Sequence, residues 1–80
     1  MLPLAAPRNH ILVVEDEPLL RHLLCQLLQR LDYRVTAAAN GREGLACYRR
    51  KSPDLVITDL FMPEMGGLEL IRKLNAEFPN

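Results

Sequence analysis

The sequence has no net charge, no apolar run of membrane length and no cysteine pair at metal spacing, and each absence removes a class of function. Ten basic and ten acidic residues balance among its 80, so no overall field draws it to nucleic acid or to an anionic membrane. A membrane span needs roughly 18–20 consecutive apolar residues, and no run here approaches that. Cys25 and Cys47 have neither a metal nor a redox spacing. Each falls in an expected helix, where a small buried thiol is the ordinary reading. His10 and His22 form no constellation. No segment repeats and none is low-complexity. Residues 1–8 are mildly apolar, but two prolines break them and no basic stretch leads them. They read as a disordered leader, not a signal peptide, and the cytoplasm is the expected location.

What is present is an alternation of strand and helix, three times over. Ile11 to Val14 and Leu55 to Thr58 are short runs rich in β-branched residues, the mark of strands, over about 10–14 and 54–58, buried on both faces of a parallel sheet. Arg34 to Ala38 is a weaker, alanine-rich strand. Pro18 opens the first helix, a position that suits proline. Leu20, Leu23, Leu24, Leu27, Leu28 and Leu31 then trace one apolar face, with Arg21, Gln26, Gln29 and Arg30 largely on the other side. Asn40 and Glu43 have capping-box spacing ahead of a second helix over 41–51, which turns Leu45 and Tyr48 inward. Arg49, Arg50 and Lys51 at its end match the helix dipole, a simpler account than a nucleic-acid contact. A third helix over 68–77 presents Leu70, Ile71, Leu74 and Phe78. Strands alternating with helices predict an α/β fold of parallel βαβ units with right-handed crossovers. Eighty residues make one domain, with a core that contributes only ~3–5 kcal/mol.

Both clear strands end at carboxylates. The first runs into Glu15-Asp16, the second into Asp59. Ligands of open α/β sheets bind outside the carboxyl ends of the strands. If these two strands are neighbours, three acidic side chains meet there, and such a cluster calls for a hard cation and a phosphoryl group. Each piece alone has a plainer reading. Glu15-Asp16-Glu17 suits any helix N-terminus, and Asp59 suits any turn after a strand.

Four pieces in order are similar to the receiver domain of two-component response regulators. They are Val13-Val14-Glu15-Asp16-Glu17-Pro18, Ala39-Asn40-Gly41, Pro53 through Asp59, and Met62-Pro63-Glu64-Met65-Gly66-Gly67-Leu68. The resemblance spans residues 9–80 and implies a partial flavodoxin-like (CheY-like) parallel sheet, βαβαβα, ending after the third helix. It implies Asp59 as the phosphoacceptor. Asp16, Asp59 and the backbone carbonyl of Phe61 would ligate Mg²⁺, and Glu15 would act through a metal-bound water. Mg²⁺ prefers oxygen ligands and retains several waters, and phosphoryl transfer needs mainly positioning and charge neutralisation. The implied function is to take a phosphoryl group from a sensor histidine kinase or phosphotransfer protein and to switch partner binding. The domain would assist its own phosphorylation and dephosphorylation without being a turnover enzyme. A hydrolase of the haloacid dehalogenase type would carry a second acid where this chain has Phe61.

Two departures from the family pattern stand out. Gly66 occupies a position that is usually Asp, which should weaken the cap of the third helix by only a few tenths of a kcal/mol. The fourth and fifth βα units, with their Ser or Thr, lysine and switch aromatic, are absent. Lys51 and Lys73 fall in expected helices and cannot replace that lysine. The third strand would then be a bare apolar edge, and the leucine face of the first helix would lack its neighbour. An exposed edge invites pairing. The expectation is a piece of a longer receiver, with an output domain in the parent, or a chain that self-associates through that edge. The alternative function is a truncated, non-switching interaction module. No direct contact with nucleic acid or membrane is expected.

Overall fold

A computed structural model describes residues 9–79; the expected leader at 1–8 lies outside the described residues. The elements run β1 (His10–Val14), α1 (Pro18–Arg30), β2 (Arg34–Ala38), α2 (Gly41–Arg50), β3 (Leu55–Thr58) and α3 (Gly67–Glu77). The expected order holds, and the ends differ by a residue. Gly67 joins α3, and Lys51 caps α2 from outside.

The strands form one parallel sheet in the order β2-β1-β3, with Ile11 paired to Val35 on one side and to Leu55 on the other. This order follows from handedness. The chain steps from β1 to β2 in one direction and from β2 back past β1 to β3 in the other. Right-handed crossovers then place α1 and α2 on opposite faces of the sheet. The reversal occurs at β1, so a crevice opens between the carboxyl ends of β1 and β3.

β1 is buried along its whole length, as a central strand covered on both faces must be. Leu12 and Val14 face α2 and α3 in a cluster with Ala38, Leu45, Leu70 and Leu74. By strand alternation Ile11 and Val13 face the other way, toward α1. Complete burial of a residue such as Leu12 or Leu70 stabilises the fold by ~1.5–3 kcal/mol. Gly44 lets α2 approach closely, because a Cβ there would lie 2.8 Å from Val14 Cγ2. Tyr48 and Phe78 close the far end with ring centroids 4.9 Å apart.

Several local features differ from expectation. No residue of α1 is buried: Leu24 and Leu28 are half-buried, while Leu20, Leu23, Leu27 and Leu31 are exposed. Ile71 is exposed rather than inward, unlike Leu70 and Leu74 of the same helix, which are buried in the core. Both thiols are free and only half-buried. Desolvation raises the Cys25 pKa, and the Arg21 charge offsets part of that rise. Arg49 is more than a dipole match, since it makes a two-pronged ion pair with Glu77 that ties α2 to α3. The Asn40 carboxamide accepts from the Glu43 N–H at 2.9 Å, as a cap should. The Glu43 carboxylate instead accepts from Ala39, one residue before the cap. Gly66 caps α3 without a side chain.

Candidate acidic site

The carboxyl ends of β1 and β3 deliver three acids to one place. One carboxylate oxygen each from Glu15, Asp16 and Asp59 lies within 4.8 Å of the others. Register explains why: Val14 pairs with Thr58, so the residues that follow each strand emerge side by side. Phe61 lies two residues beyond Asp59 on the β3–α3 loop and is 83% exposed.

The three acids are not equivalent. Glu15 is only 4% exposed, whereas Asp16 and Asp59 are exposed. Two backbone partners hold Glu15. Its backbone N–H donates to the Ala38 carbonyl at 3.0 Å, and its carboxylate accepts from the Glu17 N–H at 3.0 Å. That last bond lowers the Glu15 pKa. Burial and the carboxyls of Asp59 and Asp16 outweigh it and hold the group above the ordinary range. A buried acid crowded by two others is a site organised for positive charge. Its donors are all hard oxygens, the set that Mg²⁺ accepts, so the residues fit the cation that the sequence implies.

Arg21 supplies a contact that the sequence reading placed on the solvent side of α1. Its guanidinium donates to the Glu15 carbonyl at 2.8 Å and to the Asp16 carbonyl at 3.5 Å, which braces the acidic turn by its backbone. Side chains on a helix lean toward its N-terminus, so an arginine in the first turn after an acidic loop was a readable signal. Lys73 lies near Glu77 at the other end of α3. His22 is exposed, and His10 is buried at the amino end of β1 with Nε2 2.7 Å from Thr36 Oγ1. Neither histidine is in the acidic cluster.

α3 begins immediately behind the site. Gly67 packs so tightly on the Asp59 carbonyl that no Cβ fits. The Leu68 N–H donates to the Leu60 carbonyl at 3.2 Å, closing the loop that carries Phe61. A Cβ on Gly66 would lie 2.5 Å from the Leu60 oxygen. The usual Asp therefore does not fit this loop without a shift, a tighter constraint on Gly66 than capping alone suggested. Among the described residues, no helix is long and apolar enough to cross a membrane.

Comparison with known proteins agrees with this geometry. The family model of the response regulator receiver domain matches residues 11–80. The chain is 38% identical over 69 residues to the probable transcriptional regulatory protein TcrX of Mycobacterium tuberculosis, which covers 86% of this chain and 30% of that protein. It is 35% identical to the chemotaxis protein CheY of Thermotoga maritima, covering 90% of this chain and 61% of that one. The response regulator protein TrrA of Thermotoga maritima, solved in complex with Mg²⁺-BeF, superposes with a TM-score of 0.83 at 39% identity. That match covers 89% of this chain and 62% of the TrrA chain. The chain thus spans a third or less of the first curated relatives. The three-stranded parallel sheet and its acidic end are those of a response regulator receiver, and this chain belongs to that family.

Proposed function

We propose that this chain is a phospho-accepting receiver, with Asp59 as the phosphoacceptor and a sensor histidine kinase or phosphotransfer protein as the donor. The observation that carries this reading is the meeting of Glu15, Asp16 and Asp59 from two strands within 4.8 Å. Asp16, Asp59 and the Phe61 carbonyl would hold Mg²⁺, with Glu15 holding one of its waters. Once bound, the cation neutralises the acids and the incoming phosphoryl oxygens.

The chain's own residues do the rest. An Asp59 carboxylate oxygen forms the bond to phosphorus as the bond to the donor's imidazole nitrogen breaks. The imidazole keeps that electron pair and takes up a proton from solvent, and an acyl phosphate remains on Asp59. Asp59 is exposed, so a donor can approach it in line. Arg21 and the Glu17 N–H fix the turn that presents Glu15 and Asp16. The cytoplasm suits such a partner, and the regulatory names of TcrX and other relatives support an output domain in a longer parent.

Intact-mass analysis after incubation with acetyl phosphate and Mg²⁺ tests the proposal. The expected result is addition of one phosphoryl group, abolished by Asp59→Asn and by chelation. A wild-type chain that gains no mass while it binds Mg²⁺ overturns it.

A second reading, a non-switching interaction module, is favoured by large apolar side chains left exposed on β3, on α3 and on the loop between them. Leu55, Leu60, Phe61, Leu68 and Ile71 are all exposed there. Asp59→Asn separates the two readings, because a non-switching module keeps its partner binding and has no phosphodonor response to lose.

A further inference from the structure

The β2–α2 turn contributes no carboxylate to the acidic site, yet both halves of the site are fastened to it. On one side, the Ala38 carbonyl accepts from the Glu15 N–H at 3.0 Å. On the other, the Gly41 N–H donates to the Met65 carbonyl at 2.9 Å, in the loop that carries Phe61. Between these points the turn is stiffened by two bonds, Glu43 N–H to the Asn40 carboxamide and Ala39 N–H to the Glu43 carboxylate. The next residue, Arg42, reaches across to Glu64 at 3.3 Å.

The loop end of this connection is unusual. Glu64 and Met65 are consecutive non-glycine residues at positive φ, 56° and 83°. Such a conformation costs free energy and persists only where its surroundings enforce it. Gly41 is what allows the enforcement. A Cβ on it would lie 2.7 Å from Met65 Cγ and closer still to the Met65 oxygen, so only glycine lets the two backbones meet.

We propose that Gly41, assisted by the Arg42–Glu64 pair, is a positioning residue for the cation site. It clasps the strained Glu64–Met65 turn and so sets where the Phe61 carbonyl stands relative to Glu15 and Asp16. The clasp rests on the reading of the acidic cluster as an Mg²⁺ site. It acts through the loop and touches no reacting atom. Without it the loop relaxes toward ordinary backbone angles, and the carbonyl ligand drifts from the two acids that β1 holds in place. Loss of a contact that orients a ligand typically weakens metal affinity by ~10–100-fold. Gly41 acts at one remove, which places it at the lower bound.

The test is an amide NMR titration of the 80-residue chain with Mg²⁺, run beside thermal melts of the same samples. Gly41→Ala should raise the Mg²⁺ Kd roughly tenfold and shrink the Mg²⁺-induced shifts of the Phe61 and Met62 amides. Glu64→Ala removes only an exposed ion pair and folds whether or not Gly41→Ala does; it should raise the Kd about twofold. Arg49→Ala cuts the ion pair at the other end of the same helix and should leave the Kd unchanged, which separates positioning from general loosening. A folded Gly41→Ala chain with wild-type affinity overturns the clasp. So does a Glu64→Ala chain indistinguishable from Arg49→Ala. If the wild-type chain shows no Mg²⁺ response, the reading of the acidic cluster fails instead, and the clasp with it.

Discussion

The two faces of the sheet are built to different standards. On the α2/α3 face, Leu12, Val14, Leu45, Leu70 and Leu74 pack into a core with three residues at 1% exposure or less. On the α1 face Ile11 and Val13 of β1 are covered, but no residue of the helix itself is buried, and Leu23 and Leu27 are 51% and 55% exposed. The leucines of α1 are as apolar as those of α3, so composition does not make the difference. Coverage does. α2 and α3 lie side by side over β1, whereas α1 lies alone. The packed face fixes the fold and the site, and the open face remains available for association.

The sharpest way to break this comparison is to remove one leucine from each face. Leu70→Ala should cost about 3 kcal/mol, by loss of burial plus a cavity, and Leu23→Ala should stay within ~0.5 kcal/mol. Denaturant melts decide it, and equal losses would mean that α1 packs as tightly as α3. A domain of this size has only ~4–12 kcal/mol in total, so the Leu70 variant sits near its unfolding limit.

A smaller effect sharpens the open side. Leu23→Lys combined with Leu27→Lys should disperse any self-association without lowering the melting temperature. Sedimentation velocity of the two chains checks this, and a wild-type chain that is already a single monomeric species would defeat the idea of a sticky face. The smallest effect concerns pH. The folded Glu15 pKa is raised, so the metal-free chain gains stability from protonation. That gain is fully present below the ordinary carboxylate range and fades as pH rises through the folded value. The metal-free melting temperature should therefore rise on mild acidification. Saturating Mg²⁺ should reverse the trend, because metal binding needs the acids ionised.

Much of this was legible in the sequence. β1 and β3 announce themselves by β-branched runs that halt at acids, and Asn40 with Glu43 marks the start of α2. Pairing Glu15 and Asp16 with Asp59 needed only the neighbourhood of two strands. What escaped depends on tertiary placement. The hand of Arg21 on the acidic turn, the grip of Arg49 on Glu77 and the outward turn of Ile71 are decided by which surfaces meet. Positive φ at Glu64 and Met65 was invisible, because neither residue type favours it. Gly41 stood only as part of the Ala39-Asn40-Gly41 piece, with no role of its own, until the Met65 backbone was seen against it.

The position of β1 in the middle of the sheet also has a bearing on assembly in time. Its partners come from positions 35 and 55, so a chain growing from its amino end can pair β1 on one side only until β3 is made. Extending the closing loop from the first partner to the second is less than a doubling of length, an extra cost under ~0.6 kcal/mol. Waiting, not loop entropy, is the obstacle. Until Thr58 is in place, Asp59 has no fixed neighbour, and a nascent chain exposes only its first acidic pair. The acidic centre therefore comes into being in one step, when β3 joins the sheet.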